Sequence, residues 1–208
     1  MIVLSIDTCG TSGSVALGRI ENGNASLIAQ AELAGKTYSA QLVPAIQTLL
    51  YGQQLAPHDL RAIVVTSGPG SFTGIRIGIS TAKGLSEGLT IPLLAVSRLA
   101  VLAWKAGADF AALDAGRSEL FFRDGSREFL LAAKQADESR PARIAACETS
   151  VLRVFPDALM VDPPSAADAL AFAVPRLLAS DFDDVATLDG NYVRRSDAEI
   201  FAELPGKA

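Results

Sequence analysis

Ile2-Val3-Leu4-Ser5-Ile6-Asp7-Thr8-Cys9-Gly10-Thr11-Ser12 opens the chain with an almost continuous apolar run that stops at an acid and then at small residues. Such a run reads as a strand buried on both faces, which places a sheet with covered faces at the start of the fold. An acid followed by small residues and Gly recurs later as Leu113-Asp114-Ala115-Gly116. The segments around the two copies run in the same order. After the first come strand-like stretches at 14–20 and 25–33, separated by Glu21-Asn22-Gly23-Asn24. Asn-Gly between two such stretches is a hairpin signal, because both residues tolerate positive φ.

Ser39 is a candidate cap for a helix carrying Leu42, Val43, Ile46, Leu49 and Leu50 at helical spacing and stopping near Gly52. A strand follows at 61–66, then a loop at 67–73, a helix at about 74–89, a strand at 92–96 and a helix at 97–106. The second half opens with a strand at 109–114 and a hairpin of 118–123 and 127–132 across Asp124-Gly125. A polar helix-like stretch, a strand at 142–147, a short helix at 149–155, a strand at 158–161 and a helix at 165–178 complete it. Pro175 is expected to bend or shorten that last helix. Strand, hairpin, helix, strand, helix, strand, helix thus appears twice, with parallel crossovers through helices. That order places the chain in the α/β class, with lobes expected at 1–106 and 107–208.

Composition narrows the function. The chain has 208 residues, 50% of them hydrophobic, which is enough to bury a real core. Lys plus Arg total 18 against 23 Asp plus Glu, a net charge of −5, so an unaided grip on nucleic-acid phosphates is not expected. Cys9 and Cys147 form no CxxC, and His58 is the one histidine, so neither a disulfide framework nor a site of several histidines can be built. The start has no basic segment before Asp7, and the longest uncharged run, between Lys36 and Asp59, holds four Gln and two Pro. Neither a secretory leader nor a membrane span is expected, and a cytoplasmic location is.

The two acid turns are similar to those by which actin-like phosphotransferases hold phosphate, with amides approaching the anion and the carboxylate orienting metal or water. The plain alternative is that Asp and Gly satisfy a tight turn. Against a working nucleotide site, the chain has no Gly-Gly pair to seat adenosine, and Arg117 and Glu119 stand where small residues would admit phosphates. The sharpest local signal is Gly68-Pro69-Gly70-Ser71-Phe72-Thr73-Gly74-Ile75-Arg76, joining a strand to a helix. Helix-start amides there suit an anion, but no Gly-Lys-Ser/Thr follows, which excludes a Walker A loop. In the following helix Gly74, Gly78, Gly84 and Gly88 each cost up to about 1 kcal/mol against Ala, a loss that close contact with another backbone would offset. His58 reads as a surface or capping residue, and Trp104, with Leu99 and Val101, as core.

Ile6-Asp7-Thr8, Tyr38-Ser39-Ala40-Gln41-Leu42-Val43-Pro44 and above all the stretch from Ser67 through Gly78 resemble the TsaB (YeaZ) family. Pro92-Leu93-Leu94-Ala95-Val96-Ser97, Leu113-Asp114-Ala115-Gly116 and Asn191-Tyr192-Val193-Arg194-Arg195 continue the match, which is dense to about Ala103 and patchy beyond. Tyr38 departs from the His that members often carry. The resemblance implies a two-lobed actin-like (ASKHA, ribonuclease H-like) α/β fold with a mixed sheet and helices in each lobe and a reduced second lobe. It implies a non-catalytic subunit that binds TsaD and TsaE, forms a homodimer in isolation, and supports threonylcarbamoyl transfer to the adenosine next to the anticodon of tRNA. tRNA is then met only through the complex, and no membrane is involved. TsaD holds a metal through a His-x-x-x-His pair, which here falls on Arg98 and Leu102, so no metal ligand and no catalytic residue is expected in this chain. No cofactor is expected on the chain alone, with ATP or ADP held at the interface with TsaD. Asp7, Thr8, Gly68, Pro69, Gly70, Ser71 and Thr73 are the candidate nucleotide or partner contacts, and Leu42, Ile46, Gly74, Arg76, Gly78 and Thr81 the candidate interface. An actin-like small-molecule kinase is the alternative. A metallopeptidase lacks both an HExxH-type motif and the histidines.

Overall fold

The computed structural model describes residues 1–35, 37–138 and 143–193; side chains of 137 and 138 are not included. In the first half the strands are β1 (Ile2–Asp7), β2 (Gly13–Glu21), β3 (Asn24–Leu33), β4 (Leu60–Thr66) and β5 (Leu93–Val96), with helices α1 (Tyr38–Gly52), α2 (Phe72–Leu89) and α3 (Arg98–Ala106). The second half has β6 (Phe110–Gly116), β7 (Glu119–Asp124), β8 (Arg127–Ala132), β9 (Ile144–Ala146), β10 (Leu159–Met160) and α4 (Ala166–Leu178).

One sheet has the order β3-β2-β1-β4-β5 and the other β8-β7-β6-β9-β10, so the two lobes share one topology. In each, an antiparallel hairpin meets two parallel strands that need helical or looped crossovers. This is the duplicated, actin-like α/β arrangement expected from the repeated order. Asn22 and Gly23 turn the first hairpin at φ of 51° and 80°, the left-handed values for which Asn-Gly is suited.

Period-two alternation divides the first sheet's strands between two cores. Leu4, Ile6, Val15, Ile63 and Val65 face α1 and α2, meeting Leu42, Ile46, Leu50, Ile75, Ile79 and Ala82. Val3, Ala62, Val64 and Leu94 face the opposite side, where Ala169, Leu170, Ala173 and Leu177 of α4 cover them. Helix α3 goes the other way. Its Leu99, Leu102 and Ala103 pack on Ala111, Leu113 and Ala145 of the second sheet. The boundary at 106/107 therefore divides the sheets but not the layers, because each half lends one helix to the other's sheet. After α4 the chain stays on the first lobe, where Asp183 bridges Leu93 at the β5 edge.

The second lobe is reduced where the first has α1 and α2. The polar stretch is a 3₁₀ segment, Ala133–Glu138, and the expected short helix shrinks to the 3₁₀ turn Val151–Arg153. Three other expectations are corrected. Helix α1 is preceded by Thr37, not capped by Ser39, because Tyr38 turns into the core and draws the start forward. Helix α2 starts at Phe72, capped by Ser71 accepting from the Gly74 amide at 3.2 Å. Pro175 does not shorten α4, which runs on to Leu178. Among the described residues no helix is long and apolar enough to cross a membrane.

Candidate functional site

The turn after β1 and the start of α2 are fitted into each other. Ser71 N–H donates to the Cys9 carbonyl at 2.8 Å, and the Thr8 hydroxyl donates to the Gly74 carbonyl at 2.7 Å. A side chain at Gly70 would strike the Cys9 carbonyl, one at Gly74 the Thr8 carbonyl, and one at Gly78 the Thr8 hydroxyl. These glycines are the seats of the β1 turn under the helix. Gly84 and Gly88 meet nothing and lie exposed.

Next to this junction, between the lobes, opens a cleft of about 930 Å³. Its first-lobe wall includes Cys9, Gly10, Tyr38, Ser39 and the α2 start from Pro69 to Thr73. Asp114, Ala115, Arg117, Phe121 and Glu148 form the second-lobe wall, and Asn191, Tyr192 and Val193 border it. Tyr192 packs at a tilt against Phe72 with ring centroids 5.0 Å apart, and the Arg76 guanidinium lies 4.0 Å over the Phe72 ring. Glu128 pins this border in place, since it accepts from Ser97 at 2.5 Å, Arg123 at 2.7 Å and the Asn191 amide at 2.5 Å.

The two acid turns repeat one hydrogen bond. Asp7 Oδ1 accepts from the Cys9 amide at 2.9 Å and Asp114 Oδ1 from the Gly116 amide at 2.6 Å. Each carboxylate thus closes its own turn. Asp7 is buried, and burial lifts its pKa above the usual carboxylate value against the opposing pull of Arg98. Burial likewise pushes the Tyr38 phenol up to about 12, with the Asp7 charge adding to it, and the Cys147 thiol to about 11. Cys9 rises further for the same reason, and its thiol donates to the Thr66 carbonyl.

Of the candidate contacts, Pro69, Gly70, Ser71 and Thr73 line the cleft. Asp7, Thr8 and Gly68 do not; the first two are buried and committed to internal hydrogen bonds. Of the candidate interface residues, Leu42, Ile46, Gly74 and Gly78 are buried in the chain's own packing, Gly74 at the edge of the cleft. Arg76 is exposed and Thr81 half-buried. Trp104, expected in the core, is 48% exposed, because it rides the edge of the α3–α4 contact against Phe172 at 6.1 Å. His58 is exposed. Arg194 and Arg195, the end of the tail motif, lie outside the described residues.

Sequence reasoning passed over Arg98 as anything but a failed metal ligand. It is 6% exposed, at the first turn of α3, and lines the cleft. A charged residue followed by the unbroken apolar run Leu99-Ala100-Val101-Leu102-Ala103 was the available signal. The metal of the catalytic relatives does not fit here, because Arg98 already places a cation at that position and Leu102 is wholly buried and apolar.

Residues 27–185 match the family model of the tRNA N6-adenosine threonylcarbamoyltransferase TsaD. The TsaB protein of Bacillus subtilis, described as a tRNA threonylcarbamoyladenosine biosynthesis protein, is 43% identical over 103 residues, 50% of this chain and 44% of that one. The Escherichia coli TsaB is 36% identical over 134 residues, 62% of this chain and 56% of that one. The matched region thus spans about half the length of these curated relatives. Among solved structures, YeaZ from Pseudomonas aeruginosa superposes with a TM-score of 0.74 at 26% identity, covering 92% of this chain and 99% of that one.

Proposed function

The chain belongs to the TsaB (YeaZ) family, within the wider tRNA N6-adenosine threonylcarbamoyltransferase family, and from that premise we propose that it serves tRNA threonylcarbamoyladenosine biosynthesis as a non-catalytic subunit. In this reading it binds TsaD, joins TsaE in the complex, meets tRNA only there, pairs with itself when alone, and works in the cytoplasm. The transfer of threonylcarbamoyl to the adenosine next to the anticodon is then TsaD's chemistry. The observation that carries the reading is the pair Arg98 and Leu102, a buried guanidinium and a core leucine at the positions that the resemblance aligns with TsaD's metal-binding histidines. The kinase alternative loses support because Asp7 and Asp114 each spend an oxygen on closing a turn.

The partner face follows from which side of α1 and α2 is left uncovered. Val43 on α1 is 44% exposed, and on α2 Arg76, Thr81, Gly84 and Gly88 remain outside the core. Thr81, Gly84 and Gly88 are spaced by three and four residues and so share one side of the helix. Without side chains, Gly84 and Gly88 let a second helix come close. ATP or ADP belongs at the contact with TsaD in this reading, with Pro69, Gly70, Ser71 and Thr73 within the accessible loop.

The test is size-exclusion co-elution of the purified chain with TsaD of the same genome, using wild type and Gly84→Arg. Wild type is expected to co-elute. Gly84→Arg is expected to melt like wild type yet elute apart, because a long charged side chain would be trapped between two helices. ATP turnover or threonylcarbamoyl transfer by the isolated chain would overturn the non-catalytic reading. Unchanged co-elution of Gly84→Arg would move the interface elsewhere.

A further inference from the structure

Arg98 carries a buried charge, and no hydrogen bond or ion pair meets its guanidinium among the described residues. Its backbone N–H donates to the Gly68 carbonyl at 2.7 Å, which fixes the first turn of α3 beside the loop. The side chain is more than nine-tenths buried, Nε has no hydrogen-bond partner, and no ion pair forms on the guanidinium among the described residues. Asp7 offsets the charge through space, but its Oδ1 accepts from the Cys9 amide rather than from Arg98. A guanidinium keeps its proton at any physiological pH and offers five N–H donors in a planar fork. Burial of such a group without an acceptor is among the costliest arrangements a folded chain can hold.

The surroundings are shaped around this group. A Cβ at Gly10 would come within 3.0 Å of Arg98 Nη2, so the residue without a side chain leaves the guanidinium its seat. The same cleft is lined by Ser71 and Thr73 on the first turn of α2, an 18-residue helix whose amino end favours negative charge. Opposite stand Asp114 and Glu148. One oxygen of each already accepts from a backbone amide, that of Gly116 for Asp114 and that of Asp114 for Glu148, so it is the other oxygen of each that would accept from hydroxyls.

We propose that this cleft is a phosphate-binding site of the chain itself, in which Arg98 and the first turn of α2 hold the phosphate of a monoester while Asp114 and Glu148 receive its hydroxyl-bearing body. The planar fork and the helix start with its two hydroxyls provide more donors than the two oxygens of a carboxylate can use. The site requires no TsaD and no metal ligand.

The full chain is titrated calorimetrically and by thermal shift with inorganic phosphate, ribose 5-phosphate, ribose and acetate, each against sodium chloride of equal ionic strength. Wild type is expected to bind both phosphates, ribose 5-phosphate more tightly, and to gain melting temperature from each. Arg98→Met should weaken phosphate at least tenfold, and Arg98→Lys should lie between, keeping the charge but losing the fork. Because Arg98→Met also removes the cation that offsets the buried Asp7, its fold is checked by circular dichroism, and Arg98→Lys, which keeps the charge, serves as the second variant. The proposal falls if Arg98→Met binds phosphate undiminished, or if acetate binds as tightly as phosphate. It falls equally if ribose 5-phosphate is no tighter than phosphate, or if Arg98→Lys binds phosphate as tightly as wild type. None of these outcomes bears on co-elution with TsaD, so the two readings fail separately.

Discussion

Substituting the glycines of α2 one at a time by Ala separates seats from bare surface. At Gly78 the added methyl meets the Thr8 hydroxyl, which is fully buried and donates to the Gly74 carbonyl at 2.7 Å. Overpacking of this kind costs about 1–3 kcal/mol. Rotating Thr8 away instead forfeits a hydrogen bond worth about 1 kcal/mol and orphans its hydroxyl. Ala returns about 1 kcal/mol of helix propensity. Net of that return, the overpacking route leaves Gly78→Ala with a loss of up to about 2 kcal/mol, or up to roughly 8 °C in melting temperature for a chain of this size. Gly74→Ala should be worse, because its methyl meets the Thr8 carbonyl, which cannot move without β1.

Gly84→Ala is the control. Its methyl meets nothing, so it should gain up to about 1 kcal/mol from propensity alone. Urea unfolding of the three variants, with a check that the slope is unchanged, gives the ranking Gly84→Ala above wild type, then Gly78→Ala, then Gly74→Ala. A Gly78→Ala as stable as Gly84→Ala would refute the assignment of the inner glycines to the β1 turn.

Glu128→Ala should cost about 2–4 kcal/mol in the same assay, since it strands the mostly buried Arg123 and frees Ser97 and Asn191, whereas Glu128→Gln should lose less; equal losses would contradict the three-partner arrangement. For Asp168, burial alone would raise the pKa, but hydrogen bonds from Lys105 and Ser165 outweigh it and hold the carboxyl below its usual value. The folded value lies below the unfolded one, near 3.9, so this contribution is complete above that pH and disappears as pH falls through the folded value. Wild type should therefore lose stability more steeply than Asp168→Asn below about pH 4, and parallel acid curves would argue against the pairing. tRNA binding by the isolated chain in filter assays should be weak and fall steeply with salt, given the net charge of −5, and tight binding at physiological ionic strength would contradict this.

The elements that the sequence announces are those whose signals are local. Asn22-Gly23 marks its hairpin, the apolar run from Ile2 to Ile6 marks a strand covered on both sides, and the repeated order implies two sheets of one topology. What escapes is which surface an element meets. The apolar side of α4 carries Leu170 and Leu177, but periodicity does not say that it crosses back to β1 and β4. The glycines of α2 declare a propensity cost without naming what offsets it. For Gly74 and Gly78 the answer is Thr8, 66 and 70 residues earlier, and no spacing rule within a helix reaches that far. Arg98 was visible as a charge among apolar neighbours, but its burial depends on Gly10, which a turn motif alone would explain equally well.

The exchange of helices ties the two walls of the cleft together. Helix α3 starts at the first lobe's β5 and ends in the second lobe's core, so Arg98 sits where the chain crosses between sheets. Helix α4 makes the return crossing and shields Val3, Ala62, Val64 and Leu94 from water. The two crossing helices are joined by Lys105 and Asp168 at 2.9 Å and by the edge-on contact of Trp104 with Phe172. Hinge motion between the lobes would have to shear both crossings and break the Glu128 bonds from β8 to Ser97 and Asn191. Closure around substrate, on which many two-lobed enzymes depend, is thus opposed by the packing itself. In the proposed function, a cleft braced at both crossings suits the presentation of a constant surface to a partner.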